Sequence, residues 1–199
     1  MSVNVIAEAL IGVEHYFAQM PDVATNAARL AINDVAKGQG LAVLREAVNA
    51  DVAFPRGYVD DHLGVVKSAS NADLTAIVSG RDRPTSLARF APGQTPENTR
   101  RQGVRVMVKP GHSKLLTHAW LLRLKSGNTG LAIRLRPGET FHNKRDTGAA
   151  RPIGKGVYLL YGPSVDQVFK GAADDLKGNL ANMVSSEFLR QFARLSSNG

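Results

Sequence analysis

Five apolar or aromatic residues, Val157 to Tyr161, run without a charge and stop at Gly162-Pro163; Ser164 follows, with Gln167 three residues further on. An apolar run closed by breakers predicts a buried strand. Pro163 cannot donate a ladder hydrogen bond, and Gly162 is free to take a turn conformation closed to other residues. Ser164 and Gln167 have the spacing of a capping box, in which a hydroxyl and a side-chain amide satisfy free N–H groups of a first helical turn. The segment VYLLYGPSVDQVF therefore predicts a sheet that ends and a helix that begins within two residues, with Gly162, Pro163 and Ser164 as a structural corner. Beyond it Val165, Val168, Phe169, Ala172, Leu176, Leu180, Met183, Phe188 and Phe192 keep helical spacing to about Leu195. At ~1.5 Å per residue that helix is on the order of 45 Å long, and Gly171 and Gly178 are expected to mark bends.

The N-terminal side is also helical. Ile6, Leu10, Val13 and Phe17 share one face, and Met20-Pro21-Asp22 breaks the pattern, with Asp22 expected to cap the next helix. That helix is Ala-rich. Gly38 and Gly40 each cost it about 1 kcal/mol relative to Ala, so a kink or a close helix contact is expected there. Phe54-Pro55 ends the region, and Tyr58–Leu63 reads as a short helix.

The period then becomes that of strands. Residues 73–79, 104–109, 119–124 and 131–136 alternate or run apolar, and Lys125–Gly130 reads as a hairpin loop. Residues 91–103 and 137–156 are rich in Gly, Pro and charge, and the second predicts a long basic loop. In two strands one face is aliphatic while the other carries Arg or Lys. The expected class is α+β: an antiparallel, half-exposed β-sheet flanked by Ala-rich N-terminal helices and a long C-terminal helix. The expected organisation is a helical region over 1–56, a basic β-rich core over 57–163 and a helix over 164–199 packing on that core, one domain overall.

Charge is segregated. Net charge is +8, but residues 81–151 hold 15 Lys/Arg against four acids, a balance of +11, while the remainder holds 10 against 13 and nets −3. Such concentration points to a polyanion or an acidic protein surface as neighbour. The absence of cysteine excludes disulfides and thiolate metal sites. No apolar run approaches the ~20 residues of a membrane span, and the first residues, with Glu8 and Glu14 and no basic n-region, make a poor secretory signal. No membrane partner is expected, and synthesis in the cytosol is.

Catalytic constellations are not found in the sequence. Gly148–Gly156 places five residues before Gly154-Lys155 where a phosphate-binding loop has four, and Gly156 stands where that loop carries a hydroxyl. His15, His62, His112, His118 and His142 have no metal-ligand spacing, and Ser164 is followed by Val165-Asp166 rather than glycine. The remaining chemistry is basic. Arg100, Arg101, Arg105, Arg134, Arg136, Lys144, Arg145 and Arg151 are the candidate DNA or partner contacts, and their phosphate contacts would be sequence-independent. Aromatic residues among them are few: Phe90, Trp120 and Phe141.

Several segments, in order, resemble the tailed-bacteriophage minor tail protein Z family of tail completion proteins. They are ARLAINDVA (Ala28–Ala36), YVDDHLGVVKSAS (Tyr58–Ser70), DLTAIVSGRDRPTSLARF (Asp73–Phe90), GVRVMVKPGHSKLL (Gly103–Leu116), LKSGNTGLAIR (Leu124–Arg134) and LLYGPSVDQVF (Leu159–Phe169). SLARF and LYGPSV are the most telling. The resemblance implies a virion structural protein without enzyme activity or cofactor, in the tail or neck and assembled in the host cytoplasm. There it would help tail maturation and head–tail joining at the head-proximal end. It also implies a homo-hexameric ring whose partners are tail terminator or tail tube proteins, head connector proteins and, in passing, genomic DNA. The charge pattern alone supports an alternative, a sequence-independent nucleic-acid-binding module using the basic sheet and loop.

Overall fold

The computed structural model describes residues 14–99, 102–136, 138–139 and 150–197. The fold is α+β, and the chain groups into two compact units. The first comprises Met1–Val48, Asp60–Arg81 and Asp166–Gly199; the second comprises Asn49–Val59 and Asp82–Val165.

In the first unit α1 (Glu14–Gln19) leads into α2 (Pro21–Lys37) and α3 (Gln39–Asp51). Asp22 is not the cap of α2. Met20 occupies that position without a side-chain bond and Pro21 begins the helix, where its missing N–H has no intrahelical partner to lose. Asp22 instead sits in the first turn, where a carboxylate favours the positive helix end. The chain breaks at Gly38, as the glycines imply, and Gly40 is also a close helix contact. A Cβ there would lie 2.7 Å from the Val35 carbonyl oxygen, 2.8 Å from Val35 Cγ1 and 3.2 Å from Leu180 Cδ2. Gly40→Ala is therefore expected to cost about 1–3 kcal/mol by overpacking, read as a lower midpoint of urea unfolding; an unchanged midpoint would show that the helices separate freely.

The C-terminal helix α6 (Val165–Ser196) is one unbroken element of 32 residues that runs through Gly171 and Gly178. Its Phe188 is fully buried with Ala24, Ala27, Ala28 and Ala31 of α2, and Val184 is buried with Ile32, Val35, Ala36, Ala69 and Ala76. The small side chains of α2 explain its Ala-rich sequence, since they let a phenyl ring approach the helix backbone. A polar seam runs beside this core. The Gln191 amide donates to Asp34 Oδ2 at 2.9 Å and to Glu187 Oε1 at 2.8 Å, and Arg190 pairs with Glu187 in two contacts. The Arg190 guanidinium holds the Glu187 carboxyl below its ordinary range.

The same unit contains a two-stranded antiparallel sheet, β1 (Leu63–Lys67) with β2 (Ile77–Gly80), following α4 (Tyr58–His62). β1 was not expected, and β2 begins later than the alternation over 73–79 implies. The Asn33 side chain bonds both the N–H and the carbonyl of Ala69, and Ser70 and Asp73 close a turn. The polar atoms of that connection are thus satisfied without a sheet.

The second unit is β-rich. Its main sheet has the order β3 (Thr85–Ser86), β9 (Val157–Gly162), β7 (Thr129–Arg134), β6 (Ala119–Arg123), with β8 (Ala150–Gly154) also pairing with β9. All pairings are antiparallel. A separate hairpin joins β4 (Val104–Lys109) to β5 (His112–Leu116). The single half-exposed sheet expected from alternation is thus three sheets over the two units. The expected loop over 137–156 contains β8 at its end, and the loop over 91–103 contains α5 (Pro96–Thr99). One face of the main sheet carries Ala119, Leu121 and Leu131, all buried. The other is not a simple solvated face either, because Ala132 and Leu159 are buried on it.

Candidate functional site

Two features of the second unit bear on function: the corner at Gly162 and the basic residues.

At the corner, Thr85 pairs with Gly162 and Ser86 with Tyr161, and the Thr85 N–H reaches the Pro163 carbonyl at 3.4 Å. A 3₁₀ turn, Leu87–Phe90, follows β3 directly. Phe90 is 1% exposed. A Cβ on Gly162 would stand 3.0 Å from Phe90 Cε2 and 3.5 Å from Leu87 Cδ1. The φ of Gly162 is not positive, which corrects the expectation that it adopts a turn conformation closed to other residues. Glycine is needed for space. Around Phe90 the ring of Phe54 lies 5.6 Å away, Tyr58 stacks on Phe54 at 5.6 Å, and Arg89 covers Tyr58 at 5.1 Å. This aromatic cluster fixes β9 at its last residue. Ser164 is buried and immediately precedes α6.

The described basic residues are divided between two sheets. Arg105 lies on β4, exposed, with Nη1 3.3 Å from Ser113 Oγ across the hairpin. Arg134 ends β7 and Arg136 follows it; both are exposed. Arg151 is exposed on β8, opposite Leu159. Cross-strand pairing carries Trp120, Ala132, Leu159 and Arg151 in one row on one face of the main sheet, and Arg134, two residues from Ala132, lies on that face too. Arg134 and Arg151 are therefore brought to one face, while Arg105 belongs to another sheet. Arg100, Arg101, Lys144 and Arg145, with Phe141 and His142, lie outside the described residues.

Arg134 and Arg136 also line an open cleft of about 420 Å³ with Thr117, His118, Ala119, Trp120 and Glu139. Glu139 Oε2 accepts the Arg136 backbone N–H at 2.7 Å, and the Glu139 N–H returns a bond to the Arg136 carbonyl at 2.9 Å. This two-way closure fixes the turn after β7. The sequence placed Trp120 among the basic residues as one of few aromatics, but it did not link His118 to the two arginines. The signal was present in the loop Lys125–Asn128, closed by Leu124 N–H to Asn128 O at 2.8 Å. That closure sets the register of β6 on β7. Among the described residues no group of His, Asp and Glu is arranged to hold a metal ion, and no helix is long and apolar enough to cross a membrane.

Comparison of the chain with protein-family models, with curated proteins and with solved structures gave no match.

Proposed function

We propose that the protein is a structural virion component of the tail completion type. It acts at the head-proximal end of a phage tail as a homo-oligomeric ring between the tail tube and the head connector. The observation that carries the reading joins sequence to fold. The two most telling pieces of the resemblance, SLARF and LYGPSV, are 70 residues apart in the chain yet pack as one corner, with Phe90 against Gly162 and β3 on β9. Two motifs that carry the resemblance and also meet in a core suit a fold determinant better than a chance likeness of composition.

Gold-labelled antibody on mature particles is expected to mark the neck, and the purified full chain is expected to form a closed oligomer by native mass spectrometry. Label along the whole tail or absent from particles would overturn the reading. A chain that stays monomeric at all concentrations would remove the ring.

The nucleic-acid-binding module is the second reading. It is favoured by Arg134 and Arg136 at one cleft, whose side chains have no partner among the described residues.

A further inference from the structure

We infer that the cleft between β6 and the turn after β7 is a binding site for a nucleotide unit, an aromatic base carrying phosphate. The side chains of Arg134 and Arg136 are exposed and make no hydrogen bond or ion pair to any described residue. Glu139 is the one carboxylate among the lining residues, and its Oε2 is engaged by the Arg136 backbone N–H rather than by a guanidinium. Two guanidiniums with open donors offer the planar, paired hydrogen bonds that phosphate oxygens accept. His118, exposed at the same cleft, adds a ring nitrogen that can donate to the same group.

The aromatic comes from Trp120. It is the only tryptophan of the chain, half-buried on β6, and its cross-strand partner is Ala132, the smallest side chain that still fills a sheet. The indole therefore has no bulky neighbour opposite it on β7, and the cleft opens beside it. Stacking of a base on an indole is tolerant of sequence because every base has a π face. The volume, about 420 Å³, falls in the range of small-ligand sites and is too small to admit a duplex. Two cations and an indole lining one small cleft match a nucleotide better than an acidic peptide, whose carboxylates make no use of the indole. All named residues lie in one unit of one subunit, so the inference stands apart from the ring and its failure would leave the ring untouched.

The single tryptophan makes the test direct. Oligo-dT added to the full chain at low salt is expected to quench tryptophan fluorescence to saturation. Arg134→Gln and Arg136→Gln should each weaken binding on the order of tenfold and each lower the salt slope by about 1. Trp120→Leu, read by anisotropy of labelled oligo-dT, should weaken it roughly fivefold or more, with Trp120→Phe retaining most of it. Glu139→Gln should tighten binding by removing a like charge while keeping an oxygen for the Arg136 N–H. Far-ultraviolet circular dichroism of each variant separates loss of fold from loss of site. A dTMP titration identifies the source. Quenching at concentrations comparable with oligo-dT supports a free nucleotide; quenching only by the strand supports single-stranded nucleic acid. Absence of quenching by both, equal competition by poly-glutamate, or tighter binding of duplex without quenching would overturn the inference.

Discussion

Gly162→Val is expected to destabilise the second unit by about 1–3 kcal/mol through overpacking, which corresponds to a fall of roughly 2–12 °C in the melting temperature for a chain of this size. The cause is the 3.0 Å separation between a Cβ at this position and Phe90 Cε2, with Phe90 closed in by Phe54 at 5.6 Å. Valine adds two further methyl groups where even one Cβ is tight. The sequence alone reads Gly162 as part of a corner, free to take a turn conformation closed to other residues. The packing gives the glycine a different role, because it faces a buried ring. Gly162→Ala should cost less than valine, and adding Phe90→Leu should recover part of the loss, giving a coupling of about 0.5–3 kcal/mol in a double-mutant cycle. Thermal unfolding of the four proteins measures it. A valine variant that melts with the parent would mean the ring yields.

The larger loss is expected from Phe188→Ala, about 3–5 kcal/mol. Phe188 has 0% exposure and lies within 6.0 Å, ring to ring, of Tyr16, Phe17 and Phe192. Across from it stand Ala24, Ala27, Ala28 and Ala31. Alanines have no rotamers with which to refill a void, so the cavity should persist and the cost should sit at the upper end of the range. Phe192→Ala, at a half-buried position, should cost clearly less. Urea unfolding decides this: the midpoint should fall with an unchanged denaturant slope. Equal losses at 188 and 192 would contradict the packing described.

What was readable in the sequence follows physical strength of signal. The α+β class, α6 and β9 are continuous or strongly periodic, and each buries a face that dictates its pattern. The break at Gly38 and the close contact at Gly40 were readable because glycine is costly within a helix unless something needs the space. β1, β5 and β8 were not readable. β5 is exposed along almost its whole length, so no core imposes alternation on it. β8 contains Arg151 and Pro152, and its register on β9 is interrupted between Pro152 and Gly154. Backbone pairing makes no demand on the side-chain pattern of such strands. The three-way division of sheets was hidden too, since alternation reports a buried face but not which partner covers it. At the site, Arg134 and Arg136 were found by charge. Trp120 was named beside them in the sequence, but that it and His118 line one cleft with them follows from the register of β6 on β7, a property of pairing rather than of composition.

The order in which the chain leaves the ribosome bears on the core around Phe188. Its alanine wall, Ala24–Ala31, is made early, and the ring that covers it is made 157 residues after Ala31. The bond from Gln191 to Asp34 spans the same 157 positions. At about 5–20 residues per second, the alanine face waits roughly 8–30 s for its partner. Long-range closure of this kind is slow, because loop entropy is lost before contacts form. The second unit is synthesised within that interval, so its sheet is available to fold while the first unit still lacks its last helix. A nascent chain arrested before residue 165 would present a stripe of uncovered alanines and Ile32. During synthesis, rather than after it, this protein is most exposed to unwanted association.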